Sequence, residues 1–545
     1  MLSYRKLAMR VLGRPLHTEG IDSPRPASQR AAALVLTAAM LTTLTAPAFA
    51  KEWYIEEGDI TVRAGETEGT NKVSQGTNTD VEDTDTIITN SDKNTASSNT
   101  VTIEAKDKDD KVEVTLKDVN IDASSRSEAA VSVTGEGNTN IELDGDNALK
   151  SDIYSSGISS SGSLTISGGE NDSLTAQGGS GADGIYSSGS LTISGGTVTA
   201  NGGSSGGGDG GDGIWSSGGV TISGGSTVTA NGGDGKDDYG GDGIRSSDVT
   251  ISGGSTVTAN GGNGGNVSGD GIRSDGGVTI SGGTVKAAGG DSKDGYGGDG
   301  IRSGGGVTIF GNPVNAAGGN GGKVGGYGIC SFDRVAISGG TVEAAGGNGS
   351  TGGGSGIYSS VIDLSGSLEL TAKAGSPTGK ALLQNGRELD LDTIKDKLDP
   401  GAKVTATDAD GKVIDQVSSP LPVEPEGPVI PEESSSSSDG GSSAPSAPAS
   451  SLPGLTVTDK DGQRISYTST QSGNTLTVCV GRLTASFRIS LAALRQLRAE
   501  GIETITFQTI LCSTTLSVDE LLAMGGENAE AVLTHRFTDS SLTVG

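Results

Sequence analysis

The sequence predicts an all-β protein whose central part is a right-handed parallel β-helix, a solenoid followed by a small C-terminal α+β domain. Three observations lead to this prediction. A Gly-Ile pair recurs about every 28 residues, each unit holds three short β-rich segments between Gly, Ser and Asn turns, and 93 of the 545 residues are glycine. A fixed repeat of this size is typical of a solenoid, because one coil buries its apolar residues only against its neighbours.

The isoleucine of the Gly-Ile pair gives the most regular ladder, with intervals of 27, 29, 30, 28, 29, 28 and 28 residues. Two further apolar ladders run in step with it, so stacked coils would form a narrow, continuous core. The first ladder is Ile158, Ile185, Ile214, Ile244, Ile272, Ile301, Ile329 and Ile357. The other two are Ile166, Ile193, Ile222, Ile251, Ile280, Ile309 and Ile337, and Leu174, Val198, Val228, Val257, Val285, Val314 and Val342.

Composition divides the chain around this core. Residues 51–418 are predicted to form the β-helix with its terminal caps, with irregular first coils up to residue 150 and a short helix near Thr393 at the other end. Residues 419–453 are rich in Pro, Ser and Glu and predict a flexible tether. Residues 454–545 predict a small α+β domain of unknown role, in which Ser490 caps one helix and Ser517 begins another.

The N-terminus predicts a signal peptide over residues 1–50. Basic residues precede a largely apolar run over residues 31–46 and the small-residue site Ala48-Phe49-Ala50. Cleavage would remove six basic and two acidic side chains and change the formal net charge from −29 to −33. We therefore expect a secreted or cell-surface protein without stable membrane insertion after cleavage, and no nucleic-acid partner.

Cysteine and histidine usage limits the chemistry. Three cysteines are too few for a disulfide scaffold, although Cys479 and Cys512 fall in one domain and could pair after export. His535 alone would remain after cleavage, which excludes mechanisms that need two histidines. No nucleophile motif accompanies it, so a Ser/His/Asp triad is not indicated.

The residue after the repeated isoleucine is large or reactive in seven of eight coils. Strand alternation points this position outward if the isoleucine points inward. The row is Tyr186, Trp215, Arg245, Arg273, Arg302, Cys330 and Tyr358. Aromatic rings stack on sugar faces and guanidinium forks bind carboxylates, so the row predicts polysaccharide binding. The alternative is a solvated face whose large side chains shield a glycine-rich sheet.

An aspartate stands two positions before the isoleucine in five coils, at Asp183, Asp212, Asp242, Asp270 and Asp299. One hypothesis is that each carboxylate bonds backbone N–H groups at its bend, as Asp-Gly turns commonly do. The other is that cations bridge the stacked carboxylates, which would otherwise repel one another.

Glycine-rich loops between the coils carry further acidic residues. One loop, residues 232–240, fits a calcium-binding nonapeptide pattern, and residues 289–297 nearly do. Asp234, Asp237, Asp238, Asp291 and Asp294 are therefore candidate ligands of Ca²⁺. The alternative is that these are mobile acidic loops that keep the protein soluble.

The segments Trp53-Tyr-Ile-Glu-Glu-Gly-Asp-Ile-Thr-Val62, Val119-Asn-Ile-Asp122 and Ile141-Glu-Leu-Asp-Gly-Asp-Asn147, followed by the Ser-Gly-Gly-Thr-Val-Thr-Ala coils, resemble secreted carbohydrate-binding β-helix proteins of clostridial and related gut bacteria. The likeness covers roughly residues 52–375. It implies a non-catalytic binder of plant cell-wall polysaccharide, including acidic chains, with a fold like that of pectate lyases and a use for calcium. The matching motifs are turns and core ladders, so no ligand residue is carried over.

Three functions are compatible with these features. The leading expectation is non-catalytic polysaccharide binding, because the acidic and basic residues repeat evenly instead of clustering at one irregular site. An enzyme of the same fold, a pectate-lyase-like lyase or a hydrolase, would need such a cluster. A third alternative is an adhesin or spacer that presents the C-terminal domain.

Overall fold

The computed structural model describes residues 50–419 and residues 454–544, the latter with gaps at 459–463, 466, 473, 481–484, 510–512, 525–528 and 536–539. Residues 50–419 form a parallel β-solenoid of about 13 turns, which confirms the predicted fold class. The predicted signal peptide and tether lie outside the described residues, apart from Ala50 and Ser419. Within the described part of the chain, no helix is both long and apolar enough to cross a membrane.

Three parallel sheets run along the solenoid, and sheet 1 begins at the Gly-Ile pair. Successive isoleucines of this sheet pair directly with one another from coil to coil. Sheet 1 contains Ile60–Ala64, Val101–Glu104, Val131–Thr134, Ile158–Ser160, Ile185–Ser187, Ile214–Ser223, Ile244–Ile251, Ile272–Ser274, Ile301–Ser303, Ile329–Ala345, Ile357–Lys373 and Leu382–Gln384.

Sheets 2 and 3 follow in each coil, and several long strands turn the corner from one sheet into the next. Besides the strands that it shares with sheet 1, sheet 2 contains Ala50–Tyr54, Asp85–Thr89, Lys111–Lys117, Asn138–Asp144, Ser163–Gln177, Leu191–Asn201, Val278–Ile280 and Val307–Phe310. Sheet 3 contains Asn120–Asp122, Asp146–Lys150, Thr227–Asn231, Thr256–Asn260, Thr284–Ala288, Val314–Ala317 and Lys403–Thr407, together with the ends of Ser163–Gln177, Leu191–Asn201, Ile329–Ala345 and Ile357–Lys373.

The three predicted apolar ladders form the core. Every member of the Gly-Ile ladder is fully buried, and the other two ladders are no more than 2% exposed. The same residues pair in register along sheets 2 and 3. Because each side chain packs on its equivalent in the next coil, the core is continuous along the axis.

Antiparallel strands close both ends of the solenoid. Ile60–Ala64 pairs with Asn71–Gln75, which pairs with Asn78–Asp83, next to a 3-10 helix at Ile55–Glu57. At the other end Lys403–Thr407 pairs with Val413–Ser418, and Leu382–Gln384 with Arg387–Glu388. The predicted short helix is the 3-10 helix Leu391–Lys397. Such hairpins cover edges that would otherwise template aggregation.

The bends that return from sheet 3 to sheet 1 are stacked as closely as the sheets. Gly235 bridges to Ser205 and Gly264, and similar bridges continue along the axis. A Cβ atom added at Gly298 would lie 1.8 Å from the carbonyl oxygen of Gly269 in the preceding coil. Glycine is required there because the two backbones leave no room for a side chain.

The described C-terminal residues form a core of their own between two four-stranded sheets and two helices, Leu491–Ala499 and Val518–Met524. One sheet contains Leu455–Thr458, Ala485–Ser490, Glu530–His535 and Ser540–Val544; the other contains Thr468–Ser472, Thr475–Cys479, Thr504–Gln508 and Ser513–Ser517. Ser490 Oγ accepts a hydrogen bond from Ala493 N at 3.2 Å, which confirms the predicted cap. Cys512 lies outside the described residues, so its pairing with Cys479 stays a prediction.

The close approach of the bends makes a testable prediction about Gly298→Ala. The added methyl group would push two coils apart, and we expect the free energy of unfolding of the solenoid to fall by about 3 kcal/mol. Gly207→Ala is the matched control, because a Cβ atom added at Gly207 would meet no other atom within 4 Å. Urea unfolding followed by circular dichroism measures both variants. Equal midpoints would contradict the close packing of the bends.

Candidate functional site

The predicted row is assembled on the outer face of sheet 1. Its members pair one after another along the sheet: Tyr186, Trp215, Arg245, Arg273, Arg302, Cys330 and Tyr358. Neighbours in the row are therefore about 4.8 Å apart at the backbone. All of them except Cys330 are partly exposed. Alternation along the strand thus predicted both the face and the order of the residues.

The expectation that the whole row faces solvent is wrong at Cys330. This residue is 1% exposed, and it lies in register between the longer side chains of Arg302 and Tyr358. Burial, followed by the nearby Asp299 charge, raises the pKa of the Cys330 thiol. A protonated and buried thiol is a poor nucleophile, so Cys330 fills space in the row instead of reacting there.

Aromatic rings lie at both ends of the arginine stretch. Tyr186 meets Trp215 edge to face with 5.1 Å between ring centroids. The Arg245 guanidinium carbon lies 5.3 Å from the Trp215 ring centroid, and that of Arg302 lies 5.2 Å from Phe332. These cation–π contacts join the rings and the guanidinium groups into one surface.

Two aromatic residues of this surface were not predicted. Tyr327 stacks on Tyr358 with 5.1 Å between centroids and 21° between ring planes. It occupies the position that holds aspartate in five other coils, so alignment on the Gly-Ile pair could have found it. Phe332 is 53% exposed and stands where other coils have small or acidic residues. No repeated pattern in the sequence signals that position.

The aspartate ladder lies directly beside this row; Asp212, Asp242, Asp270 and Asp299 are buried, and Asp183 is partly exposed. Oδ1 of each member accepts a hydrogen bond from the backbone N–H of the equivalent residue in the next coil. The acceptors Asp183, Asp212, Asp242, Asp270 and Asp299 have distances of 2.7, 2.5, 2.6, 2.6 and 2.6 Å. The last donor is Tyr327 N. This geometry supports the hypothesis that the carboxylates bond backbone groups at the bends.

Burial and stacking make the charged form of the ladder costly. Burial raises the pKa of Asp183 to about 6, against the opposing hydrogen bond from Asp212 N. Burial and then the neighbouring carboxylates raise the pKa of Asp212 and of Asp270 well above the ordinary aspartate range. The pKa values of Asp242 and Asp299 are raised by burial, with the backbone N–H bond and arginines acting in the other direction.

The arginines of the row reach back to this ladder. Arg245 Nη1 lies 3.9 Å from Asp212 Oδ2, and Arg302 Nη1 lies 3.3 Å from Asp299 Oδ2. Arg273 Nε lies 4.0 Å from Asp242 Oδ2. The three arginine side chains keep 40%, 38% and 38% of their surface exposed. Since a guanidinium group has five N–H donors, donors remain for a ligand in solvent.

The acidic bends contain a second ladder. Oδ1 of Asp234 accepts from Asn263 N at 2.7 Å, and that of Asn263 accepts from Asp291 N at 2.9 Å. Asp291, Asn320 and Asn348 continue the series. These bonds hold the bends in register from coil to coil. The alternative of mobile acidic loops does not predict such an arrangement. Aspartate and asparagine serve equally here, because only an acceptor oxygen is needed.

The candidate calcium ligands of the bends differ in exposure. Asp234, Asp237, Asp291 and Asp294 are exposed and Asp238 is partly buried. In the described part of the chain, no group of three or more His, Cys, Asp or Glu side chains is arranged to hold a metal ion. Calcium binding therefore stays a prediction, and the exposed bend carboxylates suit it better than the buried ladder does.

Comparison of the sequence with protein-family models found no match. A search of curated proteins gave no match either. A search of solved structures likewise gave none. The chemistry of the exposed row and the buried ladder is therefore the basis for a proposal about function.

The buried ladder predicts a pH-dependent effect of Asp183→Asn. The raised pKa means that the folded state holds a proton on Asp183 which the unfolded chain releases near pH 4. This contribution to stability is complete below about pH 4 and is lost as pH rises through about 6. The asparagine variant should therefore gain about 1–3 kcal/mol of unfolding free energy relative to the wild type between pH 4 and 7.

Urea midpoints at several pH values measure this difference. Asp183→Ala is the control, because it removes the acceptor for Asp212 N and should be less stable than the asparagine variant at every pH. A difference between Asp183→Asn and the wild type that does not change with pH would refute the raised pKa.

Proposed function

We propose that the protein is a non-catalytic extracellular binder of an acidic polysaccharide, such as a plant cell-wall glycan, which lies along sheet 1. The carrying observation is a set of three in-register guanidinium groups, at Arg245, Arg273 and Arg302, between two aromatic clusters. The row from Tyr186 to Tyr358 covers six coil-to-coil steps, or about 29 Å. This length suits several consecutive sugar residues.

The chemistry of the row matches a chain of sugar rings that carry carboxylates. Guanidinium forks bind carboxylates through paired N–H bonds, and they do so better than lysine. Aromatic side chains offer apolar faces to the C–H groups of sugar rings, while the Tyr hydroxyl and the Trp N–H remain polar. A polysaccharide that contains uronate residues presents both kinds of group, carboxylates and the C–H faces of its rings.

Preorganisation supports binding over simple solvation of this face. The Arg245, Arg273 and Arg302 side chains already lie beside buried carboxylates, and two of them contact aromatic rings. A ligand therefore meets guanidinium groups that lose less conformational entropy on binding than free arginines would. The rigid sheet beneath fixes their spacing.

The charge of the whole chain works against an anionic ligand. The formal net charge is −29, so long-range repulsion must be overcome by local contacts. Calcium on the exposed bend carboxylates Asp234, Asp237, Asp291 and Asp294 would reduce this repulsion and bridge to uronate groups. The signal-peptide pattern of residues 1–50 supports export to the extracellular space, where calcium is abundant.

Arg273→Ala tests the proposed face. Loss of one charged hydrogen-bonding group should weaken binding to polygalacturonate about 10- to 100-fold in affinity electrophoresis or calorimetry. The affinity of Arg273→Lys should lie between those of the wild type and Arg273→Ala, because lysine keeps the charge and lacks the paired N–H donors of the guanidinium group. Lys286→Ala is the matched control, since Lys286 is an exposed cation of the same coil on sheet 3.

The proposal is contradicted if Arg273→Ala and Lys286→Ala weaken polygalacturonate binding equally, because this would indicate a general charge effect. Absence of any glycan binding by the wild type would favour a spacer that presents the C-terminal domain. Release of unsaturated sugars from the polymer would instead establish a lyase.

Chelation tests the contribution of calcium. We expect EDTA to lower retention on insoluble pectin at least severalfold, and added Ca²⁺ to restore it, because bridging ions would be removed and returned. Retention on a carboxyl-reduced, neutral polymer is the control and should not respond to EDTA. Unchanged binding of the acidic polymer in EDTA would show that the guanidinium row acts without calcium.

A further inference from the structure

At the N-terminal end of the row, sheet 1 is bordered by an open groove. The row continues backward in register from Tyr186 to Ser159 and Ser132. The groove has a volume of about 500 Å³ and lies between these residues and the adjoining bends. It therefore continues the proposed binding face across three coils.

Side-chain length explains why the face is open here. Farther along, Arg245 and Arg302 extend from the row and reach the aspartate ladder beside the bends. A serine side chain at Ser132 or Ser159 is too short to do so. The groove thus lies where serine replaces the longer side chains of the row, while the sheet 1 backbone stays in register with the following coil.

Two tyrosines bound the groove. Tyr186 lies at one end, where its other neighbour is Trp215. Tyr154 lies on a bend, has a φ of 62° and is 84% exposed. Glu128 and Asp183 add carboxylate oxygens, and serine hydroxyls line the floor. Among the described residues that line the groove, none is basic.

We infer that this groove is a subsite for a neutral pyranose ring of the bound polysaccharide, held between Tyr154 and Tyr186. The two rings offer apolar faces to the sugar, and the serine hydroxyls and the carboxylates offer partners for its hydroxyl groups. The lining offers a uronate no guanidinium partner, and Asp183 would repel it. Glu128 is already paired, since Arg126 Nη2, which lies outside the lining, is 3.3 Å from its Oε2. The inference rests on the proposed function, because it extends the same binding face.

The test compares neutral and acidic polymers on the full chain and its variants. The neutral probes are β-1,4-glucan, xylan and β-1,4-galactan, and the acidic probe is polygalacturonate. Ser159→Trp fills the groove, and the fold accommodates tryptophan at this row position because Trp215 occupies it two coils farther along. Tyr154→Ala removes one wall, Tyr154→Phe restores the ring, and Tyr296→Ala removes another bend tyrosine, which is 52% exposed and does not line the groove.

We expect the wild type to bind at least one neutral polymer, with affinity lowered tenfold or more in both Ser159→Trp and Tyr154→Ala. Tyr154→Phe and Tyr296→Ala should stay within threefold of the wild type, and Arg273→Ala should affect the acidic probe alone. Neutral binding that is absent, or equal in wild type and both groove variants, overturns the subsite. A third outcome is that the groove variants lose binding of the neutral polymer while the wild type does not bind polygalacturonate at all. This outcome supports the subsite and refutes only the proposed role of the arginines.

Discussion

The parallel register that places each residue on its equivalent in the next coil is the constraint on which the rest of the molecule depends. In sheet 1, Ile158, Ile185, Ile214 and Ile244 follow one another without a shift. For apolar side chains this arrangement is favourable, because each coil removes the core surface of its neighbour from water. A short repeated unit is then enough to define a long, rigid rod.

The same register is unfavourable for charged residues, since like charges about 4.8 Å apart repel each other. The solenoid relieves this repulsion with backbone N–H donors and with arginines of opposite sign. The ion pairs change direction along the axis: Arg273 pairs with Asp242 of the preceding coil, whereas Arg302 pairs with Asp299 of its own coil. Asp270 lies between them, and its pKa is raised first by burial and then by the adjacent carboxylates.

Periodicity predicted the solenoid, its three ladders and the face that carries Trp215 and the arginines, because these follow from spacing and alternation alone. It did not predict the antiparallel hairpins at the ends, which occur once and have no repeat. Alternation along a strand also predicts only whether a side chain points inward or outward, and not how far it extends over its neighbours. For this reason the burial of Cys330 and the opening at Ser159 could not be foreseen: each depends on the length of its neighbours.

The outward columns of sheets 1 and 2 differ in how their chemistry changes along the axis. Sheet 2 presents threonine in six consecutive coils, at Thr165, Thr192, Thr221, Thr250, Thr279 and Thr308. The sheet 1 row instead passes from serine through aromatic and basic residues to Tyr358 while its backbone stays in register. Because the two ends of this row are chemically different, a polysaccharide bound along it would have one preferred direction, with its neutral part at the serine end and its carboxylates over the arginines.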